Sequence, residues 1–171
     1  GVGLIGSSIA RALRERGVVD QIVGVDSDPE ILARAKKIDV IDDGFSDLKA
    51  GVENVDLIIL STPVGALSDI CKTLADCAPD GVLIVDVGSV KGVVAEAAKA
   101  LPDRIHFVPC HPVAGTEQSG PEAGFATLFE NRWCILTPLD RSDDAYLDAT
   151  KKASGLWTAI GAEVEIMDAA H

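Results

Sequence analysis

The first six residues constrain the fold more than any other stretch, because they match the glycine-rich turn that joins a strand to a helix. Gly1, Gly3 and Gly6 have the Gly-x-Gly-x-x-Gly spacing. In such a turn one glycine allows the tight bend, one lets the backbone approach a pyrophosphate, and one lets helix and strand pack closely. The phosphates would bind N–H groups at the helix start, around Leu4 and Ile5. Three fixed positions are a weak pattern by themselves, so the flanking residues matter.

Two features after the turn support a dinucleotide site. A helix is predicted at once, since apolar residues recur on one face and Gly17 can end it. A predicted strand over residues 22–25 then ends in Asp26, about 20 residues beyond Gly6, a spacing typical of the acid that binds the ribose hydroxyls. Because this carboxylate would repel a 2′-phosphate, the sequence predicts NAD as the cofactor, with NADP less favoured.

The rest of the chain alternates strands with helices. This pattern predicts a Rossmann-type, doubly wound α/β fold, whose mostly parallel sheet has helices on both faces. Further strands are predicted at 39–41 (a short edge strand, followed by a turn at 44–47), 55–60, 82–85, 105–108, 133–136 and 163–167. Helices are predicted after Asp28-Pro29, after Pro63, after Lys91 and over residues 146–160.

Residues 1–171 are predicted to form one dinucleotide-binding domain, since their number suits a single α/β domain. The strand that precedes a glycine turn is central in a sheet of order 3-2-1-4-5-6. We therefore expect a further strand before Gly1.

Charge and composition exclude several partners. Fifteen basic and 27 acidic residues give a net charge of −12, which argues against nucleic acid or an anionic membrane as partner. The apolar runs are too short to span a bilayer. The four cysteines form no Cys-x-x-Cys pair, which favours reduced thiols in a cytoplasmic protein over structural zinc, and no metal site is predicted.

Polar residues follow three of the predicted strands, at the sheet edge where the glycine turn would lie. These residues are Ser61-Thr62-Pro63, Ser89-Val90-Lys91 and the stretch 111–117. His111, in a loop directly after a buried strand, could accept a proton from a substrate hydroxyl, or could be a structural histidine bonded to the backbone.

The other polar residues of these stretches also have two interpretations each. Ser89 could bond substrate or cofactor, or could cap the next helix. Lys91 could bind a substrate carboxylate, or could lie exposed in the first turn of that helix. Glu117 could bind or gate the substrate, or could be a solvated loop acid.

Over its whole length the chain resembles the prephenate/arogenate (cyclohexadienyl) dehydrogenases. The resemblance lies in His-Pro-Val-Ala-Gly-Thr-Glu-Gln-Ser-Gly at 111–120, with the motifs 86–91 before it and 133–138 after it. It implies NAD-dependent oxidative decarboxylation of prephenate and/or arogenate in tyrosine biosynthesis, with hydride passing from the ring carbinol carbon to the nicotinamide. It also implies a following helical domain, which forms a homodimer and supplies an arginine for the ring carboxylate.

The resemblance also implies roles for individual residues. His111 would accept the hydroxyl proton, and Ser89 would share a hydrogen bond with that hydroxyl and orient the imidazole. Glu117, with Thr116 beside it, would bind or gate the substrate. Ser61 would bind the cofactor, and Thr62 and Pro63 would lie beside the nicotinamide.

Two alternatives remain open from the sequence. Another two-domain dehydrogenase, of the 3-hydroxyacid or pyrroline-carboxylate reductase type, would share the glycine turn but would not be expected to carry the 111–120 stretch. A non-catalytic NAD(H)-sensing module would need no proton acceptor, and usually comes with a DNA-binding segment.

Overall fold

The structure is a computed structural model that describes residues 1–167. Strands and helices alternate along most of this part of the chain. The strands are β1 Val23–Val25, β2 Asp43–Phe45, β3 Leu57–Leu60, β4 Leu83–Asp86, β5 His106–Val108, β6 Cys110–Pro112, β7 Trp133–Leu136 and β8 Glu163–Ile166. The helices are α1 Leu4–Glu15, α2 Pro29–Lys37, α3 Leu48–Gly51, α4 Leu67–Cys77, α5 Lys91–Ala98 and α6 Asp144–Ala159.

The strands form three hydrogen-bonded groups, β1-β2, β3-β4-β5 and β6-β7-β8. Every pair is parallel except β6–β7. Parallel neighbours require a crossover, which α4 provides between β3 and β4, and α5 between β4 and β5. The prediction of a Rossmann-type, mostly parallel α/β fold is confirmed.

Helices cover both faces of the central strands. Leu83 and Val85 of β4 pack in one buried cluster with side chains of α1 and α6, whereas Ile84 packs in another with side chains of α4 and α5. Trp157 of α6 is fully buried and meets the Phe129 ring edge-on, at 5.5 Å between centroids. Burial on both faces explains why these strands read as continuous apolar runs.

The first two helices start and stop where local chemistry dictates. Gly17 adopts φ +63°, the left-handed conformation that ends α1. The Asp28 side chain accepts a hydrogen bond from the Glu30 N–H at 2.8 Å, and Pro29 occupies the first turn of α2.

None of the helices in residues 1–167 has the length and apolar composition that a membrane crossing requires.

The predicted edge strand at 39–41 is wrong. Asp39 has φ +56°, a left-handed conformation that does not fit an extended strand just after α2. Val40 and Ile41 are buried in a small cluster with Ala35. The strand that pairs with β1 is β2 instead, and two of its three residues, Gly44 and Phe45, lie in the predicted turn. The apolar pair therefore anchors a connection, because its side chains fill the space between α2 and β1 rather than forming a ladder.

The cysteines behave as small apolar side chains. All four are free, and burial raises the pKa of Cys71 to about 11 and also raises the pKa of Cys110. These two thiols are therefore protonated at neutral pH. Within residues 1–167, no group of three or more His, Cys, Asp or Glu side chains could hold a metal ion.

Candidate functional site

The glycine turn lies where the carboxyl ends of β1 and β3 approach each other. The Gly1 nitrogen donates to the Val25 carbonyl at 2.9 Å, and Ser61 Oγ donates to the Gly1 carbonyl at 2.8 Å. A Cβ on Gly1 would stand 2.4 Å from the Ser61 carbonyl oxygen, and one on Gly6 would stand 2.3 Å from the Gly1 carbonyl oxygen. Close backbone approach therefore requires glycine at both positions.

The start of α1 is open toward a ligand. Its N-cap residue, Gly3, has no side chain, and no acidic residue lies in the first turn of this fully described helix. The first intrahelical bond runs from the Ser7 N–H to the Gly3 carbonyl at 2.9 Å, so the N–H groups of Leu4, Ile5 and Gly6 precede it. A Cβ on Gly3 would meet no atom within 4 Å. This arrangement suits a pyrophosphate, which free N–H groups and the helix dipole both attract.

Asp26 lies against the glycine turn, as its spacing in the sequence requires. Its Oδ2 accepts a hydrogen bond from the Val2 N–H at 2.9 Å, and its Oδ1 accepts one from the Asp28 N–H at 3.1 Å. The two bonds fix a partly exposed carboxylate at the carboxyl end of β1. Each oxygen keeps capacity to accept a further bond from a ribose hydroxyl.

Ser61, Thr62 and Pro63 follow β3 on the other side of the turn. The Thr62 methyl lies 3.3 Å from the position that a Cβ on Gly1 would occupy. Thr62 Oγ1 is buried and has no hydrogen-bond partner among the described residues. Because buried hydroxyls are normally bonded, this unpaired hydroxyl beside the glycine turn is a candidate contact for a ligand.

His111 lies in strand β6, whereas the sequence places it in a loop. β6 runs antiparallel to β7, with His111 opposite Ile135. Side chains alternate along a strand, so Cys110 and Pro112 are buried while the imidazole remains partly exposed. Only Pro109 separates β6 from β5, and the antiparallel pairing arises because the chain reverses between β6 and β7, which the apolar pattern of residues 105–108 does not reveal.

The surroundings of His111 favour its neutral form. Burial lowers the pKa of the imidazole from its usual value, the positive charge of Lys91 lowers it further, and the charge of Asp86 opposes both. At neutral pH the ring therefore has a free nitrogen that can accept a proton or a hydrogen bond.

A buried ion pair lies next to the residue that precedes His111. Asp86 ends β4 with no exposed surface, and its carboxylate accepts hydrogen bonds from the Gly88 and Cys110 N–H groups, both at 2.8 Å. Lys91 Nζ lies 3.2 Å from both oxygens of Asp86 and also donates to the Cys110 carbonyl. Burial raises the pKa of Asp86, and the Lys91 charge is the main opposing influence. One pair thus joins β4, α5 and β6.

The chain matches the family model described as prephenate dehydrogenase, nucleotide-binding domain, over residues 9–166.

The chain belongs to this prephenate dehydrogenase domain family.

Two curated relatives are similar to this chain along most of its length. A cyclohexadienyl dehydrogenase from Zymomonas mobilis is 37% identical over 100% of this chain, and a prephenate dehydrogenase from Bacillus subtilis is 38% identical over 88% of it. The crystal structure of prephenate dehydrogenase from Aquifex aeolicus in complex with hydroxyphenyl propionate and NAD+ superposes on 98% of this chain, with a TM-score of 0.89 and 34% identity. The chain covers 57% and 41% of the two curated relatives and 58% of that crystallised chain.

Two interpretations of the 89–91 motif are wrong for this member of the prephenate dehydrogenase family. Val90, not Ser89, is the N-cap residue of α5, and no side chain caps the helix there. Lys91 does not lie exposed, since only 20% of its side chain is accessible. The buried carboxylate of Asp86 attracts the ammonium inward, and the first turn of α5 is close enough for the side chain to reach it.

The remaining predicted residues of the family motif are exposed. Ser89 is exposed and makes no hydrogen bond to His111 within the described residues, although such bonds commonly form only when substrate is present. Thr116 and Glu117 are exposed in the loop 113–119, where Thr116 Oγ1 accepts a bond from the Gln118 N–H at 3.2 Å. Thr116 also lines a cavity of about 460 Å³. A larger groove, about 630 Å³, lies at the amino ends of β3–β5 and contains none of the predicted site residues.

The segment after this loop is anchored on the half of the domain that carries the glycine turn. Gly124 packs so closely against α1 that a Cβ there would lie 2.2 Å from Ser7 Oγ. Glu122 forms a two-pronged ion pair with Arg34 of α2, with both N–O distances at 2.7 Å. The loop 113–119 is therefore held between β6 and the first two helices.

Asp86 receives no role from the sequence alone, although it is the most deeply buried charge near His111. The sequence nevertheless contained a signal for a buried ion pair. Asp86 is an acid that follows the apolar run 82–85, and a lysine comes five residues later. A carboxylate at the carboxyl end of a buried strand needs a partner, and Lys91 was the nearest cation along the chain.

Proposed function

We propose that this chain is the NAD-binding domain of a dehydrogenase that oxidatively decarboxylates prephenate and/or arogenate in tyrosine biosynthesis. The observation that carries the proposal is a neutral, partly exposed imidazole, His111, at the sheet edge where the glycine turn opens. The family match and the Aquifex aeolicus complex with NAD+ support it. The 111–120 stretch favours this substrate class over 3-hydroxyacids, and a proton acceptor at this edge favours an enzyme over an NAD(H) sensor.

Contacts along the carboxyl edge of the sheet connect the two halves of the proposed site. Gly1 contacts Ser61 at the end of β3, and the Val87 N–H after β4 donates to the Leu60 carbonyl at 3.2 Å. Asp86, one residue earlier, bonds to the Cys110 N–H. The chain of contacts leads from the glycine turn to the residue before His111. Ligands of open α/β sheets bind at this edge.

The residues present fit NAD. The N–H groups of Leu4, Ile5 and Gly6 would hold the pyrophosphate, and Asp26 would accept hydrogen bonds from the ribose hydroxyls. Thr62 Oγ1 would find its missing partner at the nicotinamide end, with Ser61 and Pro63 beside it. When bound, NAD supplies the hydride acceptor.

The chain's own contribution to the reaction would be positioning and one proton acceptor. His111 would take the proton of the ring hydroxyl while the same carbon gives up hydride and the ring loses carbon dioxide to become aromatic. Ser89 would donate a hydrogen bond that orients the hydroxyl and the imidazole. Thr116 and Glu117, in the loop above, would bind or gate the substrate.

The proposal includes parts that lie outside residues 1–171. A helical domain would supply the arginine for the ring carboxylate and the homodimer contact. A strand before Gly1 would fill the open edges of β1 and β3, since no strand among the described residues pairs there.

The free thiols favour a cytoplasmic location.

The test uses full-length protein with NAD or NADP and with prephenate or arogenate, followed by the absorbance of reduced nicotinamide. We expect NAD to be reduced with at least one substrate. Tighter binding of NADP than of NAD would overturn the cofactor assignment. Binding of NAD with no reduction in the presence of either substrate would overturn the activity.

A further inference from the structure

Cys110, the residue before His111, has both backbone polar groups bonded to a single buried ion pair. Its N–H donates to Asp86 Oδ1 at 2.8 Å, and its carbonyl accepts from Lys91 Nζ. On this side β6 has no strand partner among the described residues, since β4 pairs with β3 and β5. The two side chains therefore take the place of a neighbouring strand at this point.

We propose that Asp86 and Lys91 are a positioning pair, which fixes the backbone at Cys110 and so aims the His111 imidazole at the substrate hydroxyl. The inference rests on the proposed function, in which His111 accepts the hydroxyl proton. Neither residue of the pair needs to touch the substrate.

A buried ion pair is an inefficient way to gain stability, because desolvation offsets most of the attraction between the charges. This pair nevertheless fits a positioning role. Asp86 is fully buried and accepts two backbone hydrogen bonds from two different segments. Each bond fixes a main-chain direction at the end of β4 or at the start of β6. In proton transfer, a displacement of about 1 Å can cost as much as a hundredfold in rate.

The same pair determines the charge around the imidazole. Lys91 from α5 and Asp86 from β4 are the charged groups that act on His111, and Ile135, opposite it on β7, is neutral. Burial and Lys91 lower the pKa of His111, whereas Asp86 raises it. The base form therefore persists to a lower pH than in a free histidine. Removing Lys91 raises the pKa of His111, so activity should be lost at a higher pH on the acid side.

The decisive variant is Lys91→Met in the full-length protein. We expect kcat to fall by about tenfold or more, the acid limb of the kcat/KM profile to move to higher pH, and the NAD dissociation constant to stay within about twofold. Lys91→Arg keeps the cation and should retain the wild-type acid limb. Lys99→Met removes an exposed ammonium from the end of the same helix and should change none of these quantities.

Wild-type kcat and an unmoved acid limb in Lys91→Met would overturn the positioning pair. An equal shift in Lys99→Met would also overturn it, because the effect would then be one of net charge. If Lys91→Met does not fold, the double variant Asp86→Asn/Lys91→Met replaces it, since this variant leaves no unpaired buried charge. A double variant with wild-type kcat counts against the proposal, and one with a kcat loss at unchanged NAD affinity supports it.

A nuclear magnetic resonance titration of the His111 ring separates failure of this inference from failure of the proposed function. The signal is assigned by its loss in His111→Asn, and the titration needs no substrate. A higher pKa of His111 in Lys91→Met than in wild type supports the electrostatic link even if the wild-type protein reduces no NAD. An unchanged pKa rejects that link even if the dehydrogenase activity is confirmed.

Discussion

The glycine turn and the His111 region lie at the same edge of the sheet but are built by opposite means. The turn is contiguous over residues 1–6 and presents backbone N–H groups, with glycine required where a Cβ would meet a carbonyl oxygen. The His111 region is assembled from β4, α5 and β6, and the ion pair of Asp86 and Lys91 holds it together by bonding to the backbone of Cys110, 19 residues beyond Lys91. One region depends on the absence of side chains and the other on their charge.

This difference predicts different kinds of sensitivity. In the turn, any added carbon atom acts through sterics and should change nucleotide binding first. Around His111, a change of charge or of proton affinity should change turnover and its pH dependence, while nucleotide binding stays the same. The substitutions below test this separation, from the largest expected effect to the smallest.

His111→Asn should have the largest effect. The asparagine amide cannot accept a proton at neutral pH, so kcat should fall by roughly 10²–10⁴-fold, the usual contribution of a positioned acid or base. The NAD dissociation constant, measured by titration of full-length protein, should change little. An unaffected kcat would remove His111 from the mechanism. A large loss of NAD affinity would show that the two regions are not separable.

Gly6→Ala and Gly3→Ala form a matched pair within the turn. A Cβ at position 6 would meet Gly1 and Ser61 atoms at 2.3 and 2.6 Å, whereas a Cβ at position 3 would enter open space. Both should weaken NAD binding by about tenfold or more, equivalent to about 1.4 kcal/mol. Only Gly6→Ala should also lower the melting temperature of the protein without ligand. If Gly3→Ala binds NAD normally, the space before α1 is not where the pyrophosphate lies.

Asp26→Asn should reduce the preference for NAD over NADP. The amide loses the charge that repels a 2′-phosphate and one of the acceptors for a ribose hydroxyl, so the ratio of the two dissociation constants should fall by about tenfold. Ser27→Ala, an exposed neighbour, serves as the control. A ratio that does not change would place the ribose away from Asp26.

Gly155→Ala should have the smallest effect and calibrates the steric argument. Gly155 lies inside α6, and a Cβ there would meet nothing within 4 Å. Alanine should raise the free energy of unfolding by about 0.5–1 kcal/mol, because glycine is disfavoured in helix interiors. NAD affinity and kcat should not change. A loss of stability in denaturant unfolding would show that added carbon atoms are harmful even in open space, which would weaken the comparison of positions 3 and 6.

The sequence was most informative where a short stretch acts through its own backbone. The glycine turn, the αL stop at Gly17 and the Asp28-Pro29 helix start are local, so spacing and residue type suffice to predict them. The same reasoning failed at 39–41, where an apolar pair resembled a strand. Packing between α2 and β1 decided that segment, and no local pattern reports such a contact.

The sequence by itself determined the α/β alternation, the strands covered on both faces and the order of the polar stretches at the sheet edge. Apolar periodicity and turn chemistry are properties of neighbouring residues, so they can be read directly. Only the tertiary structure decided that His111 lies in an antiparallel strand, that Lys91 turns inward and that Asp86 holds the Cys110 backbone. Those features depend on desolvation and on hydrogen bonds between segments distant in the chain, and their energies exist only once the sheet has brought the segments together.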